Sequence, residues 1–232
     1  MSENIKKIKK AFKVDLDSSK NQNIILKPSA RPFNNQAHQV NEAAEKIDKL
    51  IKNAPYSNDD IILNHNEIKE AFFSPFKPQL KNTQVFLSHS HADKNKALKV
   101  KNYLESETNH RVFIDSLFWD YKDDVLNELE KYDNTSKIED AFTLILRESL
   151  QNMIEKCPYF VFLESKNSVS DQGLSHTTYS AWVYEELKIA HSIRESRPTP
   201  MMENFQVSHN ISPFLEHLET ITLSKLSHII NS

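Results

Sequence analysis

The sequence predicts an α/β protein: a buried parallel sheet of about five strands flanked by helices, with an N-terminal helical extension ahead of it. Three observations carry this. The runs Val85-Phe86-Leu87, Val112-Phe113-Ile114 and Tyr159-Phe160-Val161-Phe162-Leu163 are continuously apolar rather than alternating, as in strands covered on both faces. The stretches between them repeat apolar residues at three and four positions, the period of a helix. Each strand-type run also gives way at once to a polar or aromatic cluster, and ligands gather outside the carboxyl ends of such strands.

Taken in order, residues 1–35 begin with a lysine-rich amphipathic stretch carrying Ile5, Ile8 and Phe12. A polar run from Asp17 to Asn23 follows, then Pro28, Pro32 and Asn34-Asn35. This reads as an arm or linker with little core of its own. Val40, Ala43, Ala44, Ile47, Leu50 and Ile51 predict a helix over 37–53, and a second short helix over 66–73 stops before Pro75. Pro75 and Pro78 mark a boundary, so residues 1–80 form the arm and a helical hairpin, packed on the next domain or on a second subunit, and 81–232 the main domain.

Within the main domain the first strand is followed by a helix bearing Ala97, Val100, Tyr103 and Leu104. The second strand leads through an aromatic loop to a helix with Val125, Leu126 and Leu129. A longer helix from Ile138 to Cys157 precedes the third strand, and a helix from about Ser180 to Ile193 follows it. Pro200-Met201-Met202 opens a fourth strand, Leu218 to Leu223 forms a fifth, and a short helix ends the chain.

Composition narrows the function. A 38% hydrophobic content supports a true core, and a net charge of −3 gives no bulk case for nucleic-acid binding. The charge is uneven, with 13 Lys/Arg against 10 Asp/Glu in residues 1–80 and 16 against 22 in residues 81–232. The lone Cys157 forms no intramolecular disulfide and reads as a buried small residue in a reducing compartment. No secretory signal and no apolar stretch of roughly 18 residues is present, so the expectation is a soluble, cytoplasmic chain without a membrane partner. Three apolar anchors in the basic start bury too little area to hold a membrane surface. Gly173 is the only glycine. That excludes both the G-x-G-x-x-G fingerprint and the P-loop, because each needs several glycines for close approach of backbone to phosphate.

The candidate site residues follow the strands. Strand one ends in Ser88-His89-Ser90-His91-Ala92-Asp93, strand two in Asp115-Ser116 leading to Leu117-Phe118-Trp119-Asp120-Tyr121, and strand three in Glu164-Ser165. Ser88 and Ser90 hydrogen-bond ribose or phosphate, or cap the next helix; no base and acid are evident to make either a nucleophile. His89 and His91 form an H-x-H without a third ligand in sequence, which points to substrate or polar-loop contacts rather than a metal. Asp93 reads as a helix cap or a ligand contact, and Asp115 and Ser116 as holding the following loop or meeting ribose. Trp119 and Tyr121 read as loop packing or an assembly contact. Trp182 stands one helical turn before Glu186, as core or as the wall of a pocket. Glu186 by itself reads either as a solvated helix carboxylate or as a catalytic one.

Gln84 to Asp93 resembles the first box of Toll/interleukin-receptor-type (TIR) domains. Phe113-Ile114-Asp115 resembles the family's second strand, Ser116 to Asp123 its BB loop, and Cys157 to Ser165 its third strand. Ser180-Ala181-Trp182-Val183-Tyr184-Glu185-Glu186-Leu187 resembles its S-x-W-x-x-x-E-L segment. The resemblance covers roughly residues 84–232, is nearest to bacterial TIR-like proteins, and implies a flavodoxin-like sheet. It also implies cleavage of the nicotinamide–ribose bond of NAD+, taken as substrate with no further cofactor, and an ADP-ribose-type signal such as those of bacterial anti-phage systems. The essential Glu of that segment falls on Glu186. Glu185 points about 100° away on the helix. The chemistry agrees: loss of neutral nicotinamide builds positive charge on the ribose, and a carboxylate stabilises it without any acid.

Two functions compete. One is an NAD+ nucleosidase that self-associates through the BB loop, rests autoinhibited and serves a separate effector protein. The other is a non-catalytic adaptor acting by TIR–TIR contact. Trp182 and Glu186 held together discriminate them, since an adaptor has no need of that pair.

Overall fold

The computed structural model describes residues 10–26, 37–54, 56–57, 60–61, 64–73, 83–130, 136–172, 175–195 and 209–232. The fold is α/β, with five parallel strands flanked by helices. The strands are β1 (Lys10–Asp15), β4 (Thr83–Ser88), β5 (Arg111–Ile114), β6 (Tyr159–Glu164) and β10 (Glu219–Thr220). Their order across the sheet is β10-β1-β6-β4-β5, and every neighbouring pair is parallel. Counted from β4, the triplet β5-β4-β6 has the 2-1-3 arrangement of a flavodoxin-like sheet. The fourth place goes to the N-terminal strand.

That strand corrects the reading of residues 1–35 as an arm with little core. β1 pairs with β6 over six residues, from Lys10 against Tyr159 to Asp15 against Glu164. Ala11, Phe12, Val14 and Leu16 are buried. Phe12, Val14 and Leu16 alternate at the period of a strand, a pattern that extends past the lysine-rich stretch carrying Ile5, Ile8 and Phe12. The polar run is structural as well. It contains α1 (Ser19–Ile25), where buried Asn21 donates to the Asp15 carbonyl (2.8 Å) and accepts from the Leu223 amide (3.0 Å). The end of β1 is thereby tied to the last helix, α9 (Leu223–Asn231). β10 is the expected fifth strand reduced to two residues. The strand expected at 200–202 lies outside the described residues.

The chain divides into two compact units rather than at residue 80: residues 1–31, 82–115 and 150–232 in the first, 32–81 and 116–149 in the second. The first holds the sheet. Helix α4 (Lys94–Thr108) packs with α1 and α9, and Asn109, left-handed at φ 51°, ends α4 and turns the chain into β5. After β6 comes a small antiparallel sheet of β7 (Ser170–Gln172), β8 (Ser175–Thr178) and β9 (His209–Asn210). Helix α7 (Ala181–Glu195) and the short α8 (Ser212–Leu215) pack beside β8.

The second unit is built on α2 (Ala37–Asn53), with the two-residue strands β2 (Tyr56–Ser57) and β3 (Asp60–Ile61), then α3 (His65–Phe73). Helix α5 (Ser116–Leu129) packs against α2. Helix α6 (Ser136–Lys156) begins in this unit and ends in the first. Here a second correction arises. The segment from Ser116, expected as a BB loop, is helical. It contains neither glycine nor proline, and Tyr121, Val125 and Leu129 recur every four residues and are buried. The Tyr121 ring meets Phe72 edge-on, and its hydroxyl donates to the Phe72 carbonyl at 3.1 Å. Tyr121 is therefore core and not part of an exposed aromatic cluster.

Candidate functional site

Parallel pairing brings the chemistry-bearing residues together. Leu87 of β4 lies opposite Ile114 of β5, so Ser88 and His89 leave the sheet beside Asp115. Helix α7 packs on β4, burying Val183, Glu186, Leu187 and Ala190. Spacings of three, one and three make this the apolar stripe of an ordinary amphipathic helix, with a glutamate in it. Glu186 has 0% exposure, so it is not the solvated helix carboxylate that was one of its two sequence readings.

The surroundings of Glu186 do not satisfy it. Neither carboxyl oxygen makes a hydrogen bond of good geometry, nor do Ser88 Oγ, Asp115 Oδ1 or either ring nitrogen of His89, although Ser88 and Asp115 both stand within hydrogen-bonding reach of Glu186. His89 Nδ1 stands 2.8 Å from Asp115 Oδ1, an ion-pair distance at an angle unsuited to a hydrogen bond. Burial first, then the charge of Asp115 and close polar contact with its carboxyl, push the Glu186 carboxyl well above the ordinary carboxylate range, against a smaller opposing pull from the Ser88 hydroxyl. Such groups are almost always paired in folded proteins, because an unpaired buried polar group costs about 1–3 kcal/mol. Six unpaired atoms on four converging side chains mark a place organised for something other than stability.

The other predicted residues are placed as follows. Asp93 neither caps a helix by its side chain nor remains open to a ligand. Its carboxylate accepts from the Ser165 hydroxyl and from Asn167 Nδ2 (3.0 Å), and pairs with Lys96 at 3.3 Å. Lys96 also reaches Asp17, just beyond β1, and Asp17 accepts from the Lys166 amide at 3.2 Å. Ser90 is buried at the start of a 3-10 turn (His91–Asp93) without capping it by its side chain. Ser116 opens α5 in the second unit, buried and with its hydroxyl unpaired. Trp119 falls inside α5, and its side chain lies outside the described residues. Trp182 is half-buried on α7, at the margin of the stripe that contains Glu186. Glu185 pairs with Lys188 at 3.4 Å, away from that stripe.

The structural partners Ser165, Asn167, Lys96 and Asp17 were not legible as a group. Asp17 and Lys96 are 79 residues apart, and no local spacing announces their pairing. Among the described residues no group of three or more His, Cys, Asp or Glu could hold a metal ion, and no helix is long and apolar enough to cross a membrane. Cys157 is buried, and desolvation pushes its thiol up to about 12. A dimple of about 10 Å³ between Ala11, Phe160, Leu187, His191 and Phe214 touches none of the site residues and is room for a single water. Compared with known proteins, the chain matches no family model, and no curated protein or solved structure matches it significantly.

Proposed function

We propose that the protein is a TIR-type NAD+ nucleosidase, with Glu186 stabilising the cationic ribose as nicotinamide departs. The observation that carries this reading is the unpaired, wholly buried Glu186 beside Ser88, His89 and Asp115 at the carboxyl edge of the sheet. A buried carboxyl with a raised affinity for protons waits for positive charge, and the pyridinium of NAD+ brings it. As that cation enters, any proton on Glu186 leaves to solvent, and the carboxylate faces the charge that develops at the ribose carbon. Ser88 and Asp115 then offer partners to the ribose hydroxyls, and Trp182, one helical turn before Glu186, walls the pocket that opening creates. An adaptor acting only by surface contact gains nothing from leaving these groups unpaired.

Glu186 is closed to solvent, so turnover requires an opening, which fits an autoinhibited resting state. The same reading places the enzyme in the cytoplasm, self-associating and supplying an ADP-ribose-type signal to a separate effector protein. Incubation with NAD+ tests it: the wild type is expected to release nicotinamide and Glu186→Gln is not. Product chromatography then separates ADP-ribose from cyclised forms. Absence of nicotinamide release from the wild type at any protein concentration would favour the adaptor.

A further inference from the structure

The site contains a second chemical device beside Glu186, sharing Asp115 with it. The His89 side chain is 1% exposed and that of Asp115 7%, with Nδ1 of the ring 2.8 Å from Oδ1 of the carboxylate. The opposite ring nitrogen, Nε2, is buried and has no protein partner. A carboxylate this close to one ring nitrogen favours the proton on that side by its charge, even where the ring is not aligned for a hydrogen bond, and leaves the lone pair on the other. Once the two are aligned, as an opening of the site would allow, such a pair makes histidine a base. Glu186, in electrostatic contact with Asp115, has a different task, because a carboxylate that stabilises a glycosyl cation does not thereby remove a proton from the incoming nucleophile.

We infer that His89, oriented by Asp115, is the general base that activates the water which captures the ribosyl cation. This rests on the NAD+-cleaving reading. The bond from nicotinamide nitrogen to ribose C1′ breaks, and its electron pair stays on nitrogen and neutralises the pyridinium. A water oxygen bonds to C1′. One of its protons passes to His89 Nε2, the imidazolium is held by Asp115, and the proton then leaves to solvent. NAD+ and water thus give ADP-ribose, nicotinamide and one proton. Asp115 is a positioning residue in this scheme and does not itself take the proton.

The choice of nucleophile separates this role from a structural one. Water must lose a proton to complete the reaction, whereas a pyridine base captures the same cation through its ring nitrogen with no proton to lose. His89→Gln and Asp115→Asn should therefore raise the ratio of base exchange to hydrolysis, about 10²-fold for His89→Gln, the usual worth of a general base. The assay follows NAD+ with added 3-acetylpyridine, reading ADP-ribose and the exchanged dinucleotide together, with melting curves to establish that each variant is folded. Nitrogen NMR of His89 in the wild type supplies a measurement that no variant's misfolding can spoil, with the neutral ring expected to carry its proton on Nδ1. Equal loss of exchange and hydrolysis in the variants, or a proton found on Nε2, overturns the assignment. Failure of the cleavage reading looks different: the wild type then releases no nicotinamide with either nucleophile.

Discussion

Asp93 and Glu186 are both acidic and both almost wholly buried near the carboxyl edge of one sheet, and their surroundings treat them oppositely. Asp93 receives a hydroxyl, a side-chain amide and an ammonium, and the chain of contacts continues through Lys96 to Asp17. Glu186 receives no amide or ammonium and has only the Ser88 hydroxyl within reach, without a well-formed hydrogen bond, and its neighbour Asp115 is another acid. A buried carboxylate with its full set of donors joins β6 to the turn after β4 and reinforces the scaffold. A buried carboxyl with an acidic neighbour and no well-formed hydrogen bond subtracts from stability. A protein keeps the second kind where function requires it. The difference teaches that burial and acidity alone do not identify a site; the state of the partners does.

The comparison can be broken from the scaffold side. Phe12 is 1% exposed in the strand that leads to Asp17, and Phe12→Ala should cost about 3–5 kcal/mol. A chain of this size loses about 2–4 °C in melting temperature per kcal/mol, so a calorimetric scan reads the loss directly. If residues 10–15 were an arm, the scan would not move. Asp93→Ala comes next. It removes the acceptor for Ser165, Asn167 and Lys96 and should cost about 2–3 kcal/mol, discounted because Lys96 is about one-third exposed. Unchanged melting would show that the network is incidental.

Glu186→Gln should act in the other direction, with a sign that depends on pH. The raised affinity for protons means the folded chain keeps its proton to higher pH than the unfolded chain does. Stability contributed by this group is therefore full below the ordinary carboxylate range and is lost as pH rises through the folded value. The amide stands in for the protonated acid at every pH. Glu186→Gln should melt with the wild type near pH 4 and above it at pH 8, as scans at the two pH values would show. Equal melting at both would mean that folding does not raise the proton affinity of Glu186. Glu185→Gln should do least, since the part-exposed Glu185–Lys188 pair is worth roughly 0.5 kcal/mol or less. Its nicotinamide release should stay within about threefold of the wild type, well inside 1 kcal/mol of barrier.

Much of this contrast was legible in the sequence, and the reasons are physical. The strands β4, β5 and β6 announced themselves because buried parallel strands are continuously apolar, and the polar residues ending them, Ser88, His89 and Asp115, stood out by contrast. The phase of α7, which separates Glu186 from Glu185, followed from 3.6 residues per turn. β1 was missed because Lys10 and Lys13 interrupt its apolar residues, and because six in-register pairings with a strand near residue 160 leave no local signature. α5 was taken for a loop on resemblance, although the absence of glycine and proline already argued for a helix. Whether an acid is paired depends on residues 70 or more positions away, as Asp93 and Ser165 are. No spacing rule reports that.

The central claim is that the unpaired Glu186 serves chemistry while the paired Asp93 serves the fold. Nicotinamide release from NAD+ by Glu186→Gln, measured at a temperature where circular dichroism shows that variant fully folded, tests it most directly. The account predicts a loss of at least about 10²-fold relative to the wild type, the usual worth of a single group that stabilises transition-state charge, with melting at pH 8 no lower than that of the wild type. Wild-type release rates from folded Glu186→Gln would contradict it.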